Sequence, residues 1–163
     1  MSFKYKKVAV GGTFDYVHAG HKALLRMAFE SGESVVIGVT SDNLVKKLGK
    51  IVERSFDKRV EMLKIFLSSI FPSRRYEIHK LDDYFGPVIT DEDIEAIVVS
   101  DETFSRAREA NELRKAKGFK PLKIMIADTV KADDGLPISS TRIRNKEIDE
   151  EGHKINRKIE LKS

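Results

Sequence analysis

The chain has 163 residues, of which 30 are Lys or Arg, 26 are Asp or Glu and none is Cys. That length suits one α/β domain spanning 1–163, no run approaches the ~20 apolar residues of a membrane span, and the lack of Cys removes disulfides, thiolate catalysis and Cys-based zinc sites. A formal charge of +4, spread over both signs, suits small anionic substrates and is too mixed to argue for nucleic acid.

MSFKYKKVAV enters a first strand almost at once and carries no signal-peptide core, which predicts a cytoplasmic protein. Val8, Ala9 and Val10 form a short buried strand that Gly11-Gly12 is expected to stop. Ala23, Leu24, Leu25, Ala28 and Phe29 then recur at helical spacing, so His18 and His21 fall at a helix N-terminus. Free N–H groups and the helix dipole favour a phosphate there, and Gly20 is expected to let the backbone approach it. Two imidazoles suit phosphoryl or nucleotidyl transfer, with phosphate charge favouring their protonated form. Zinc is poorly supported, since His79 and His153 have no ligand-like spacing.

Ser34 to Thr40 reads as a second strand, with Gly32 placed as the left-handed end of the first helix. Asp42 is expected to cap a short helix carrying Lys46, Lys47 and Lys50 at the mouth of the sheet. Ser55 opens a scaffold helix with Val60, Leu63, Phe66 and Leu67 on one face; Arg54, Lys58 and Arg59 either point toward the site or, as the favoured reading, are surface charge. Tyr76 to His79 is a third strand, and Leu81 to Asp93 is expected to loop over an edge of the site.

Ile94 to Ser100 gives a fourth strand, followed by Asp101-Glu102-Thr103 and a helix from about Phe104 to Lys117 that Gly118 ends. Ser100 and Thr103 suit either ligand binding or a capping box. Pro121 to Ala127 supplies the last strand, and Asp133-Asp134-Gly135 a flexible loop. Ser139-Ser140-Thr141 then reads as the cap and first turn of a helix offering hydroxyls and free N–H groups to a triphosphate, with Arg142 and Arg144 on different faces. From about Asn145 a charged tail with sparse Ile148, Ile155, Ile159 and Leu161 suggests a peripheral helix.

The β-α-β-α-β alternation predicts an α/β fold, a single doubly wound parallel sheet of about five strands. Neither G-x-G-x-x-G nor a G-x-x-x-x-G-K-[ST] loop is present, so phosphate is held in another way.

GGTFDYVHAGH resembles the signature of the HxGH nucleotidyltransferases, and ISSTRIR their downstream ISSTxIR motif; the resemblance implies the Rossmann-like nucleotidyltransferase fold. Within that superfamily, GGTFDYVHAGHKALL, YFGPVITDEDIEAIVVSDETFSRAREANELR and ISSTRIR are most similar to phosphopantetheine adenylyltransferases of the archaeal and eukaryotic type. The resemblance implies adenylyl transfer from ATP to 4′-phosphopantetheine, yielding dephospho-coenzyme A and pyrophosphate in coenzyme A synthesis. Mg2+ would be held mainly by the ATP phosphates, with no protein ligand identified.

Carried over by motif, His18, His21 and Thr13 are the catalytic candidates. Gly11, Gly12, Thr13, His21, Ser139, Ser140, Thr141 and Arg144 are candidates for the nucleotide, and Thr13, Lys46 and Lys47 for the acceptor phosphate. The arginine pair of the bacterial enzymes after the fourth strand is missing. Ser100, Asp101 and Thr103 stand there instead, and Arg106, Arg108 and Arg114 on the next helix are candidate substitutes. A flavin-nucleotide adenylyltransferase, a glycerol-phosphate cytidylyltransferase and a silent nucleotide sensor are the alternatives. The expected partners are ATP and 4′-phosphopantetheine, with no nucleic acid or membrane; oligomeric state and feedback by coenzyme A stay open.

Overall fold

Val8, Val10, Val35, Ile37 and Val39 are β-branched and almost wholly buried, as strands covered on both faces require. The computed structural model describes residues 2–155. Its strands are β1 (Tyr5–Gly12), β2 (Gly32–Thr40), β3 (Arg75–Leu81), β4 (Ala96–Val99) and β5 (Lys123–Ile126). They are interleaved with the helices α1 (Ala19–Ser31), α2 (Asp42–Lys47), α3 (Phe56–Ile70), α4 (Phe104–Ala116) and α5 (Ser140–Arg144), and with a 3-10 turn at Gly86–Ile89.

The strands form one parallel sheet in the order β3-β2-β1-β4-β5. The chain builds outward from β1 to β3, crosses back, and builds the other way through β4. The topological switch point therefore lies at the C-terminal ends of β1 and β4, where open α/β sheets leave a crevice. Leu25 and Phe29 of α1 and Leu63 and Leu67 of α3 bury one face of the sheet. Val88 of the 3-10 turn and Ala110 of α4 pack with Ala9, Val36, Ile94 and Leu122 on the other.

Four local expectations change. Gly11 and Gly12 do not stop β1; they pair with Gly38 and Val39 as its last residues, and the turn falls on Phe14, whose φ is 56°. Gly32 is extended (φ −113°) rather than left-handed, and it starts β2. Glycine is required there because a Cβ would stand 2.7 Å from Val8 Cγ2. The segment after β3 does not simply loop over the site, since its 3-10 turn carries Val88 into the second core layer. Finally, the described tail is not a helix. Ile148 is fully buried, and an antiparallel bridge joins it to Lys154. Ile159 and Leu161 lie outside the described residues.

Arg114 explains why the segment before β4 is ordered. Its guanidinium is buried and donates to five carbonyls: Nε to Lys120, Nη1 to Val88 and Asp91, Nη2 to Glu92 and Ile94. These acceptors precede β4 and β5, so Arg114 sits at the end of the sheet opposite the crevice. Its candidacy for the site is overturned: α4 turns this side chain toward the strand starts, and every donor is used. Asn111, one turn earlier, likewise bonds both backbone groups of Leu122.

Replacing Arg114 with Leu should cost on the order of 3 kcal/mol, because buried carbonyls lose a charged donor together. Urea unfolding would read this as a lower midpoint, while the KM for nucleotide in the folded fraction stays unchanged.

Candidate active site

The residues singled out at the two ends of the sequence meet at the C-terminal ends of β1 and β2. Arg59, buried on α3, donates from Nη1 to the carbonyls of Thr13 and Thr40, both at 2.8 Å. It also donates from Nε to the carbonyl of Arg54 and from Nη2 to Asp42 Oδ1. Read from sequence as surface charge, Arg59 is instead the clasp between the two strand ends. Asp42 thus serves Arg59 and the amide of Phe56, and the cap of α2 is Ser41, whose Oγ accepts from Leu44 N.

Asp15, only 1% exposed, accepts from the amides of Glu53 and Arg54 at 3.1 and 3.0 Å and from Arg144 Nη1 at 2.8 Å. Arg54 returns a bond to the Asp15 carbonyl and lies over the Tyr16 ring. The Tyr16 hydroxyl donates to Glu53, while its backbone amide and carbonyl both bond Ser140 Oγ. The GGTFD turn, the 53–54 loop and the start of α5 are therefore one hydrogen-bonded unit. Sequence reasoning quoted Asp15 within a motif but gave it no role; a carboxylate beside an apolar Phe14 was the available signal.

The histidines close α1 by capping each other. His18 is the N-cap, and its Nδ1 accepts from the amides of Gly20 (3.0 Å) and His21 (3.4 Å). His21 Nδ1 accepts in turn from the His18 amide at 3.3 Å. The rings stack with centroids 3.8 Å apart, and Phe14 lies 4.8 Å from His21. Gly20 makes this possible, since a Cβ there would stand 2.8 Å from His18 Cε1. With each Nδ1 an acceptor, each neutral ring carries its proton on Nε2.

Burial pushes His18 down to about 4. It pushes His21 well below the ordinary range too, helped by its neighbour His18 and opposed by the Tyr16 backbone. In the ligand-free protein both imidazoles are thus biased toward the neutral form, because protonation would put a proton on a capping nitrogen and a charge in a buried pair.

The first amides of α1 are not free for phosphate. Ala19 donates to the carbonyl of Glu150, Gly20 and His21 to His18 Nδ1, and Lys22 to the carbonyl of His18. The hydroxyls of the second motif are also engaged. Ser139 Oγ caps Arg142 N, Ser140 Oγ holds Tyr16, and Thr141 Oγ1 accepts from Arg144 Nη2. Arg142 is structural, bonding the carbonyls of Leu136 and Pro137 and the Asp134 carboxylate, so the Asp133–Gly135 turn is ordered rather than flexible.

One side-chain atom stands out. Thr13 Oγ1, following Gly11 and Gly12, is buried and makes no hydrogen bond within the protein, which a ligand oxygen would remedy. Lys46 and Lys47 are exposed in the last turn of α2. Ser100 and Thr103 bond each other, and Thr103 makes no side-chain cap, so the capping box is not formed; Asp101 is exposed beside them. Among the described residues no three His, Asp or Glu side chains gather as a metal site, and no helix is long and apolar enough to cross a membrane. A groove of about 820 Å³ lined by Lys6, Ser34, Arg75 and Glu95 lies at the strand starts, and none of the motif residues lines it.

The cytidylyltransferase-like family model matches residues 9–146, a span containing both motifs and the lysines of α2. A phosphopantetheine adenylyltransferase of Methanothermobacter thermautotrophicus is 50% identical over 157 residues, covering 96% of this chain and 94% of that protein. The chain belongs to the phosphopantetheine adenylyltransferase family. A second member, from Pyrococcus furiosus, is 44% identical with 96% and 98% covered. A crystal structure of an Archaeoglobus fulgidus protein of unknown function superposes with a TM-score of 0.68 at 34% identity, over 75% of this chain and 89% of that one.

Two measurements check this geometry. In a double-mutant cycle of Asp15→Asn and Arg144→Ala, either single change should destabilise, and the coupling should be on the order of 1–3 kcal/mol because each deprives the other of its charged partner. For the histidines, a ¹⁵N NMR titration of the ligand-free protein should find His18 titrating near 4, not near 6.5. A depressed folded-state value means that stability is fully present above about 6.5, the unfolded value, and is lost as pH falls toward about 4.

Proposed function

We propose that the chain transfers the adenylyl group of ATP to 4′-phosphopantetheine, releasing pyrophosphate and forming dephospho-coenzyme A. What supports this reading is the match with adenylyltransferases of that name at 44–50% identity over 90–96% of the chain, on a chain whose two motifs are joined by the Asp15–Arg144 and Tyr16–Ser140 bonds. The reaction belongs to coenzyme A biosynthesis, and a cytoplasmic location belongs to the same reading.

An oxygen of the acceptor phosphate attacks the α-phosphorus of ATP in line with the bond to pyrophosphate. A phosphate monoester is already ionised at neutral pH, so no general base is required; positioning and charge stabilisation supply the rate. His21 and His18 serve as neutral N–H donors to the oxygens gaining charge. Thr13 Oγ1 donates to a phosphate oxygen, and Lys46 or Lys47 meets the acceptor phosphate as a mobile cation.

Gly11 and Gly12 leave the end of β1 uncovered for the nucleotide. Arg144 remains the candidate for the β- and γ-phosphates at the start of α5, with Asp15 fixing one edge of its guanidinium. Ser139, Ser140 and Thr141 shape that helix start through their internal bonds, and Thr141 keeps its hydroxyl proton to donate. Magnesium would arrive on the ATP phosphates and offset their charge. Ser100, Asp101 and Thr103 stay candidates at the crevice mouth; Arg114 does not.

The test is pyrophosphate release with magnesium, with ATP and with CTP, against 4′-phosphopantetheine, pantetheine, flavin mononucleotide and glycerol 3-phosphate. The CTP arm follows from the description of the family model. Turnover is expected with ATP and 4′-phosphopantetheine. Unphosphorylated pantetheine should be inert, because among the described residues no general base is identified that would activate its alcohol. Turnover of another acceptor with none of 4′-phosphopantetheine would overturn the substrate assignment, and nucleotide binding without any turnover would favour a sensor.

A further inference from the structure

We infer that the segment from Glu147 to Lys154 is a positioning strap for the histidine pair, acting through the Glu150 carbonyl on the first amide of α1. The inference rests on the proposed role of His18 and His21 and adds to it an element beyond the residues 9–146 that the family model matches.

The fully buried residues of α1 are Leu25, Ala28 and Phe29, all beyond its first turn. The sheet core therefore grips the body of the helix and not the turn that carries the histidines. The reciprocal histidine cap is internal to that turn; outward, the Phe14 ring lies against His21 and Ala19 packs on the Ile138–Ile143–Ile148 cluster. The bond from Ala19 N to Glu150 O at 2.9 Å adds a directional backbone tie to the far side of the site. Ala19 is the neighbour of His18, and both rings are bonded to the backbone of the same turn. A displacement of the turn thus moves both Nε2 atoms together.

The strap is built to hold its carbonyl still. Asp149 Oδ1 accepts from the amides of Glu151 and His153, both at 2.9 Å, and the amide of Gly152 bonds the carbonyl of Asp149, which makes a tight reversal. Gly152 occupies φ +86°, where a Cβ would also stand 2.7 Å from Ile138 Cδ1. On one side Ile148 is fully buried in a cluster with Ile138 and Ile143, against which Tyr16 and Ala19 pack. On the other, Asp133 N donates to the carbonyl of Gly152, and Asp133 Oδ2 accepts from Lys154 N. The strap therefore registers α1 against the same α5 whose Ser140 and Arg144 hold the GGTFD turn.

Ala19→Pro removes the bond and sets the ring Cδ where the amide hydrogen faced the Glu150 carbonyl, so it lifts the strap off the turn. Proline is favoured in the first position of a helix, where its missing N–H takes no helical bond. His18, extended at φ −137° and ψ −179°, already has the backbone that a residue before proline prefers. Helix content should stay near that of the parent, with a modest fall in melting temperature from the lost strap contact. The kcat should fall about tenfold while KM for ATP and for 4′-phosphopantetheine changes less than about twofold, as expected for a displaced transition-state donor. In ¹⁵N NMR the His18 and His21 resonances should shift from their parental positions as the turn moves, with the Nε2–H tautomer kept by the internal cap. Gly152→Ala, which disturbs the strap from its far end, should reproduce the kcat loss and the spectral change.

Unchanged kcat and unchanged histidine resonances in both variants would overturn the inference, and so would a lower melting temperature with kcat intact. His21→Ala separates it from the reading beneath. Near-normal turnover in that variant would remove the catalytic role of the pair. Lost turnover there, with Ala19→Pro and Gly152→Ala at parental kcat, would overturn the strap alone.

Discussion

A carboxylate with almost no contact with water, that of Asp15, fixes the geometry at the functional end of the sheet. Burying such a charge is costly unless it is met by donors, and here they come from two distant stretches: the amides of Glu53 and Arg54, and the guanidinium of Arg144. The cost of leaving any of them unmade forces the three segments together. Arg59 repeats the logic with opposite sign, drawing the carbonyls of Thr13 and Thr40 onto one buried cation. Between them these two charges turn the ends of β1 and β2 into a fixed platform.

On that platform the histidines occupy an unusual position for helix-capping residues. Capping usually falls to Ser, Thr, Asp or Asn. An imidazole that caps through Nδ1 keeps a second nitrogen, with its hydrogen, for other use. The reciprocal cap therefore fixes tautomer and orientation at once, and partial burial keeps both rings neutral. Donors fixed before the substrate arrives need little reorganisation as charge develops on transferring phosphate oxygens, which is the physical basis of electrostatic catalysis. On the proposed function, neutral donors would bind the ground-state triphosphate less strongly than a pair of cations, weighting their effect toward the transition state.

The two ends of the sheet use arginine in the same way for different ends. Arg59 gathers carbonyls where the strands finish, beside the candidate site. Arg114 gathers them where β4 and β5 begin, and so orders the long return from β3 that a parallel sheet needs when its direction of winding reverses. Neither side chain is a surface charge. A guanidinium with five donors can satisfy several carbonyls of irregular backbone that no ladder can reach.

Periodicity and turn chemistry in the sequence determined the five strands, the four longer elements α1 to α4, the parallel order of the α/β alternation and the location of the site at strand ends. Those signals are local: β-branched runs, apolar spacing near 3.6, and caps within a few residues. The motifs GGTFDYVHAGH and ISSTRIR also marked the residues that gather, because a family resemblance is carried by residue identity. What the sequence could not decide was how polar groups are shared. Whether His18 meets phosphate or a backbone amide, whether Arg59 faces water or two carbonyls, and whether Arg114 reaches the crevice or the opposite end of the sheet depend on partners up to 46 residues away. The same holds for Asp15 and Arg144, 129 residues apart, and for Glu150 on Ala19. A buried donor or acceptor takes whichever partner the packed backbone brings within about 3 Å, and only the tertiary structure sets that.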